Sequence, residues 1–284
     1  MKYSPSPLRY PGGKASIYKM MSDILADNCE ESISYAEPYA GGCGLALSLL
    51  FKGNVQELHL NDVDVSIASL WQCILNDTDN LLKKLNDVNV DMDEWRKQKL
   101  IQEDKESADT LELAFSTLFL NRTNHSGIIK GGVMGGKNQT GKYKLDCRFT
   151  KQTLIDRINQ IADNSHRIYF YNMDAIDFIS HMESLKAPDL ILMVDPPYYK
   201  KGKSLYTNFY DHDDHVYISE KLNSTSIPWL LTYDNTVEII KIYENHKNYQ
   251  FSINYSVANK RKGTELLITS DHFRNLNHEC LTIA

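Results

Sequence analysis

Two spacings of apolar residues alternate along the chain. Up to about residue 70 a helical stretch gives way to SISYAE, the glycine-bearing turn EPYAGGCG, the apolar run LALSLLF and then ELHLND, which reads as strand, turn, helix, strand. From Trp71 to about Glu112 the spacing becomes helical, in Leu-rich charged segments such as DNLLKKLNDVNVDMDEWRKQKLIQ with no strand candidate, and LELAFSTLFLNRT continues it. The next stretch, HSGIIKGGVMGGKNQTGKYKL, holds too much glycine for a helix and predicts a hairpin or mobile loop. Strand and helix then alternate again: helix TKQTLIDRINQIADNS, strand RIYFYNMD, helix AIDFISHMESL, strand DLILMV, helix DHVYISEKLNS, strand PWLLTYDN, helix VEIIKIYENH, and a β-rich tail. This rhythm predicts an α/β fold with a doubly wound, mostly parallel sheet. Residues 1–70 and 151–284 would form one domain, and residues 71–150 a helical insertion ending in the hairpin. Ligands on such sheets sit beyond the carboxyl ends of the strands.

Composition changes this picture little. A chain of 284 residues with 42% hydrophobic content can bury a full core. Five scattered cysteines without a C-x-x-C pair suggest reduced thiols and neither a disulfide framework nor a zinc site. The start MKYSPSPLRYPGGK has no apolar run of signal-peptide length, and no stretch reaches the roughly 18 apolar residues of a membrane span, so a soluble cytoplasmic protein is expected. A net charge of -6 argues against nucleic acid as a partner, but the charge is unevenly spread. Between Arg122 and Lys151 seven basic residues face one acid, Asp146, whereas Asp77 to Glu112 is rich in Asp and Glu.

The strongest chemical signal is Asp195-Pro196-Pro197-Tyr198, directly after the apolar strand LILMV. Two prolines cannot donate to a ladder, so they end the strand rigidly. The Asp195 carboxylate and the Pro196 carbonyl are acceptors suited to the two N–H groups of a planar exocyclic amine. Tyr198 offers a face on which a base could stack, worth about 1–3 kcal/mol, enough to offset much of the cost of unstacking it. The bland alternative is a strand-ending turn with a surface tyrosine.

Tyr39, Ala40, Gly41, Gly42 and Gly44 lie in EPYAGGCG, between a predicted strand and a helix, where glycines let a ligand approach the backbone. Asp62 follows about 20 residues later at the end of the next strand, the spacing at which an acid reaches ribose hydroxyls. A nucleoside-bearing cofactor is implied; the pattern is not the G-x-G-x-x-G of a dinucleotide site. In RYPGGK, Lys14 beside two glycines could fold over an anion with Tyr10 packing on the cofactor. Met173 and Asp174 end the strand RIYFYNMD beside the glycine loop, where they could contact an adenine ring; a helix cap is the even alternative for Asp174. The acids of Tyr210-Asp211-His212-Asp213-Asp214-His215 are accounted for by the helix they precede, so no metal is expected. Lys260 and Arg261 lie in NKRKG, a basic hairpin tip that either touches phosphate or is merely solvated.

Together these residues resemble the adenine-specific DNA methyltransferases typified by the Dam enzymes, the D12 class, over nearly the whole chain and in the same motif order. RYPGGK is similar to that family's N-terminal cofactor motif, EPYAGGCG to its glycine loop, LND to its ribose-binding acid and DPPY to its catalytic motif, while FLNRTNHSG resembles the start of its DNA-reading hairpin. The resemblance implies a Rossmann-like methyltransferase fold, S-adenosylmethionine as cofactor, and transfer of its methyl group to N6 of an adenine flipped from double-stranded DNA. It implies that Tyr10, Lys14, Asp62 and Asp195 contact the cofactor or the reacting centre. DNA contacts are expected from Arg122, Asn124, Lys130, Lys137, Lys142, Lys144, Arg148, Lys260 and Arg261. A monomer is expected, with room for a cognate restriction endonuclease as a partner. After FLNRT, GATC-methylating members tend to continue with Phe-Asn-Gly, whereas this chain has Asn124-His125-Ser126-Gly127, so the target sequence does not carry over.

Other readings stay open at this level: the same chemistry on cytosine N4, on an RNA adenine or on a glutamine amide, or a DNA-binding protein without turnover. The absence of a Pro-Cys dipeptide argues against a cysteine adduct on cytosine C5.

Overall fold

The computed structural model of the chain describes residues 4–9, 14–29, 33–187, 189–200, 210–255, 261–274, 276 and 278–284, with backbone alone at 254–255 and 261–262. Helix α1 (Tyr18–Asn28) leads to β1 (Ser34–Glu37), α2 (Gly44–Phe51) and β2 (Glu57–Asn61). Then come α3 (Val65–Asn76), α4 (Thr78–Asp87), α5 (Met92–Glu103) and α6 (Thr110–Thr123), with no strand between them. Alternation resumes with α7 (Lys151–Ala162), β3 (Ile168–Tyr171), α8 (Ala175–Leu185), β4 (Leu190–Val194), α9 (His212–Ser224), β5 (Trp229–Asp234) and α10 (Val237–Ile242). The tail is β6 (Lys247–Tyr255), β7 (Arg261–Thr269) and β8 (Thr282–Ile283).

Among the described residues these strands form one sheet of order β3-β2-β1-β4-β5-β7-β6-β8. The first five are parallel, as the mostly parallel expectation has it, and the three strands of the tail join antiparallel. The strand order reverses between β1 and β4, which opens a crevice at their carboxyl ends. Residues of β4 alternate between two apolar layers. Ile191 and Met193 face a core shared with α1–α4, α6 and α7, while Leu190, Leu192 and Val194 face α8–α10. Burial on both faces explains why LILMV is apolar without interruption.

The helices between β2 and β3 are built onto this same core. Leu70 and Trp71 are fully buried in the middle of α3, and Leu81, Leu85, Phe115 and Phe119 join the layer that covers the sheet. Residue 71, the expected start of the insertion, therefore falls inside a helix. The glycine-rich stretch after α6 folds as turns with a single antiparallel bridge, Asn124 to Val133, in place of the paired strands of a hairpin. The second basic tip does join two antiparallel strands, β6 and β7. Lys260 lies outside the described residues, and of Arg261 only the backbone is described, paired with Tyr255. Before α9, Asp211 accepts the N–H groups of Asp213 and Asp214, and Asp214 accepts the Asp211 N–H in return, a reciprocal cap that occupies these acids. No described helix is long and apolar enough to cross a membrane.

Candidate active site

At the end of β4 the apolar run stops and Asp195 emerges into the crevice, 27% exposed. Both its oxygens are held by the Lys14 ammonium, at 2.7 and 2.9 Å, and Thr232 of β5 donates its hydroxyl to Oδ1 at 2.8 Å. Lys14 is almost fully buried and lies 3.4 Å from a second carboxylate, Glu265 of β7, which is completely buried. Glu265 accepts the Tyr198 hydroxyl at 2.5 Å. One ammonium thus bridges two carboxylates, an arrangement that permits a partner exchange. Burial pushes the Asp195 carboxyl above its ordinary range; Lys14 pulls against this and the Glu265 charge adds to it. Glu37, at the end of neighbouring β1, accepts the Tyr35 hydroxyl at 2.9 Å and is pushed up to about 8, chiefly by burial.

The glycine turn after β1 is tied down from three sides. The Gly41 N–H donates to Asp62 Oδ2 at 3.0 Å, its carbonyl accepts the Trp71 indole N–H at 2.9 Å, and the Ala40 N–H donates to the Asn61 carbonyl at 2.8 Å. Gly41 holds φ at 48°, a left-handed conformation that glycine adopts without a Cβ penalty. Asp62 receives the Asp64 N–H on its other oxygen at 2.9 Å, and burial pushes it up to about 7. The Asn61 side chain staples two loops, donating to the carbonyls of Pro38 and Met173 and accepting the Met173 N–H. Tyr39 reaches Tyr210 through a 2.8 Å hydroxyl contact. Asp174 takes the Ile176 N–H at 2.8 Å and so serves as the helix cap of α8.

The structure therefore brings Lys14, Asp195, Pro196, Pro197 and Tyr198 together at one strand end, beside the loop of Tyr39, Ala40, Gly41, Gly42 and Gly44. Tyr10 lies outside the described residues. Two expectations change. Tyr198 is only 3% exposed with its hydroxyl engaged, so its ring is not an open stacking face in this state. Asn124 is completely buried: its Oδ1 accepts the Trp95 indole N–H at 2.7 Å and its Nδ2 donates to the carbonyls of Ile128 and Ile129. An amide so occupied braces the loop from inside and cannot reach a base while that loop is intact. Lys130, Lys137, Lys142, Lys144 and Arg148 are exposed, with Lys144 donating to the Gln139 carbonyl; Arg122 is buried.

Sequence reasoning missed Glu265, Thr232, Asn61 and Asp234. Asp234, at the end of β5, accepts the N–H groups of Tyr199 and Lys200 and so fixes the chain leaving the double proline. Asn61 carried a signal, its place in LND beside Asp62. Glu265 sits in an ordinary strand pattern and carried none.

A family model described as D12 class N6 adenine-specific DNA methyltransferase matches residues 10–261. The chain is 23% identical over 259 residues to the Type II methyltransferase M.MjaIII of Methanocaldococcus jannaschii, covering 84% of this chain and 87% of that protein. Among solved structures, a protein of Pyrococcus horikoshii described as an RNA methyltransferase aligns over 92% of this chain and 85% of its own, with 11% identity and a TM-score of 0.42. The rRNA methyltransferase aviRa of Streptomyces viridochromogenes aligns over 93% and 88%, with 12% identity and a TM-score of 0.38. Neither structural likeness is strong enough to bear on substrate.

Proposed function

The chain belongs to the D12 class N6 adenine-specific DNA methyltransferases and is an adenine DNA methyltransferase, and from that premise we propose that it takes its methyl group from S-adenosylmethionine and delivers it to an adenine flipped out of duplex DNA into the crevice beside Asp195. The observation that carries this reading is the position of Asp195 at the strand-order reversal, next to the glycine loop and held by a lysine that has a second carboxylate within reach.

The residues present fit the cofactor. Each Asp62 oxygen accepts one backbone N–H and keeps a second lone pair, so a partly exposed carboxylate is left to receive a pair of ribose hydroxyls. Gly41, Gly42 and Ala40 would line the nucleoside, with Met173 and Asp174 beside the adenine ring. Bound S-adenosylmethionine supplies a methyl group activated by its sulfonium charge.

The protein's part is to make a poor nucleophile attack. The adenine amine shares its lone pair with the ring; Asp195 and the Pro196 carbonyl, accepting its two N–H groups, return density to nitrogen and aim it. Lys14 covers both Asp195 oxygens, so it must release one to the amine, and Glu265 keeps the ammonium paired as it moves. After transfer the nitrogen has one proton too many. Asp195, with its raised proton affinity, accepts that proton. Stacking of Tyr198 on the base, worth about 1–3 kcal/mol, is comparable to the roughly 1.5–3 kcal/mol of a hydrogen bond to a carboxylate, so exchanging one for the other costs little.

Incubation with tritiated S-adenosylmethionine and genomic DNA, followed by hydrolysis, should return label in N6-methyladenine, and modification-sensitive sequencing would map the site. Label in N4-methylcytosine, in RNA alone, or nowhere would overturn the reading.

A further inference from the structure

Four arginines meet beside the amino-terminal segment, and none of them pairs with a carboxylate among the described residues. Arg122, in the last turn of α6, is 7% exposed, and its Nε is shielded from solvent without an acceptor. Arg9 is fastened beside it. The Arg9 N–H donates to Asn121 Oδ1 at 2.8 Å, and Asn121 Nδ2 donates to the carbonyls of Arg9 at 2.9 Å and of Gly127 at 2.8 Å. Gly127 holds φ at +80° and lies so close that a Cβ there would stand 2.2 Å from the Arg9 carbonyl oxygen. Arg9 Nη1 is likewise shielded and has no acceptor. Arg157, on α7, donates Nη1 to the Ser6 carbonyl at 2.9 Å, which brings a third guanidinium to the same segment. Arg148 ends the short 3-10 turn packed on α6 and is exposed at the rim.

Arg122 and Arg9 feel the neighbouring charges. Arg122 is pulled down to about 9, first by burial and then by Arg157, Arg9 and Arg148, and Arg9 is lowered by burial and by Arg148. Residues 1–3 and 10–13, the neighbouring segments outside the described residues, contain no acid. A buried guanidinium with shielded, unbonded N–H groups is costly to keep, and clustering like charges adds to the cost. An external anion with several acceptor oxygens would remove both penalties at once.

We propose that Arg9, Arg122, Arg148 and Arg157 form a receptor for a single phosphodiester of the DNA strand. This rests on the reading of duplex DNA as substrate. Guanidinium forks match phosphate oxygens in pairs, whereas a base edge mixes donors with acceptors and calls for no such concentration of charge. Arg9 stands five residues before Lys14 on the same segment, so the receptor anchors DNA on the piece of chain that delivers the lysine to Asp195.

The test uses duplexes carrying the mapped site, each with one phosphate replaced by an uncharged methylphosphonate, titrated against wild type, R148A, R157Q and R122Q. R122Q alters a buried charge and risks the fold, so R148A at the rim and R157Q carry the result. One position should weaken the wild type about tenfold and each variant, which starts weaker and keeps the remaining arginines, by clearly less. The log-log salt slope of the variants should fall, by up to about 0.9, the value of one neutralised phosphate. Variants as sensitive as wild type at every position, with an unaltered slope, would overturn the receptor. So would binding of inorganic phosphate, read as thermal stabilisation, that is lost in R148A while duplex affinity is untouched. A wild type that binds and methylates no DNA would sink the functional reading itself.

Discussion

Two aspartates stand at carboxyl ends of the same sheet, Asp62 after β2 and Asp195 after β4, and the fold dresses them in opposite ways. Asp62 takes the backbone N–H groups of Gly41 and Asp64, donors that cannot leave unless the loop comes apart. Asp195 takes the Lys14 ammonium and the Thr232 hydroxyl, side-chain donors, one of them on a flexible four-carbon stem with Glu265 at hand. On the proposed reading the first holds the cofactor still and the second changes partners. A binding acid gains from rigidity; an acid that must receive a nucleophile's proton gains from partners that can yield.

The sharpest way to break this contrast is to remove each acid in turn and see which kinetic constant moves. D195A should lower single-turnover methyl transfer by at least about a thousandfold, the scale of removing a positioned acceptor, and leave the dissociation constant of S-adenosylmethionine within a few-fold of wild type. Near-normal transfer by D195A would remove Asp195 from the chemistry. D62N should show the reverse split in the same two assays: cofactor affinity down about 10- to 100-fold, the scale of one charge-assisted hydrogen bond, with turnover at saturation largely kept. Equal losses in both constants from both variants would erase the distinction.

Glu265 tests the exchange itself. E265Q leaves a hydrogen-bonding group for Tyr198 and removes the charge that offers Lys14 its second home, so turnover should fall about tenfold as Lys14 stays on Asp195. The Glu265 charge also raises the Asp195 carboxyl, and in the proposed reaction it is the ionised form of Asp195 that receives the amine. Activity is therefore lost as pH falls through its folded value, and in E265Q that acid limb should move to lower pH. A limb that stays in place, or moves up, would show that the two carboxylates are not coupled.

Much of this was legible because chain punctuation marks strand ends. LILMV followed by Asp195 and two prolines announces a buried strand that stops abruptly, and β1 followed by clustered glycines does the same. What could not be read is contact between punctuation marks. Glu265 meets Tyr198 across 67 positions, and no local period registers that. Asn124 looked like a surface residue because polar and basic residues surround it in sequence; Trp95 of α5 covers it in space. The expected boundary at residue 71 fell inside α3 because helical spacing begins at Val65 and the core of the insertion is the core of the sheet. The glycine-rich stretch 125–145, expected as a hairpin or mobile loop, holds one bridge because its glycines turn the chain repeatedly, with Gly135 and Gly136 both at positive φ.

The smallest effect on turnover is expected at Glu37, which acts on Asp195 and Lys14 electrostatically and is largely protonated below about pH 8, yet its effect on stability has a definite sign. Folding raises its pKa from 4.5 to about 8, so between those values the folded chain holds a proton that the unfolded chain has released. Stability must then fall as pH rises through that window, by at most about 1.4 kcal/mol per unit, and level off on either side. Asp62 contributes a slope of the same sign that ends near its own value of about 7, which leaves the interval from about 7 to 8 as the part of the window that Asp62 does not share. E37Q mimics the protonated form permanently and still accepts the Tyr35 hydroxyl. Its urea midpoint should change much less between pH 7 and 8 than that of wild type, with the two proteins converging towards low pH. If E37Q keeps the full wild-type decline across that interval, Glu37 is already ionised in the folded chain, and the crevice beside Asp195 is a wetter and more polar place than its packing implies.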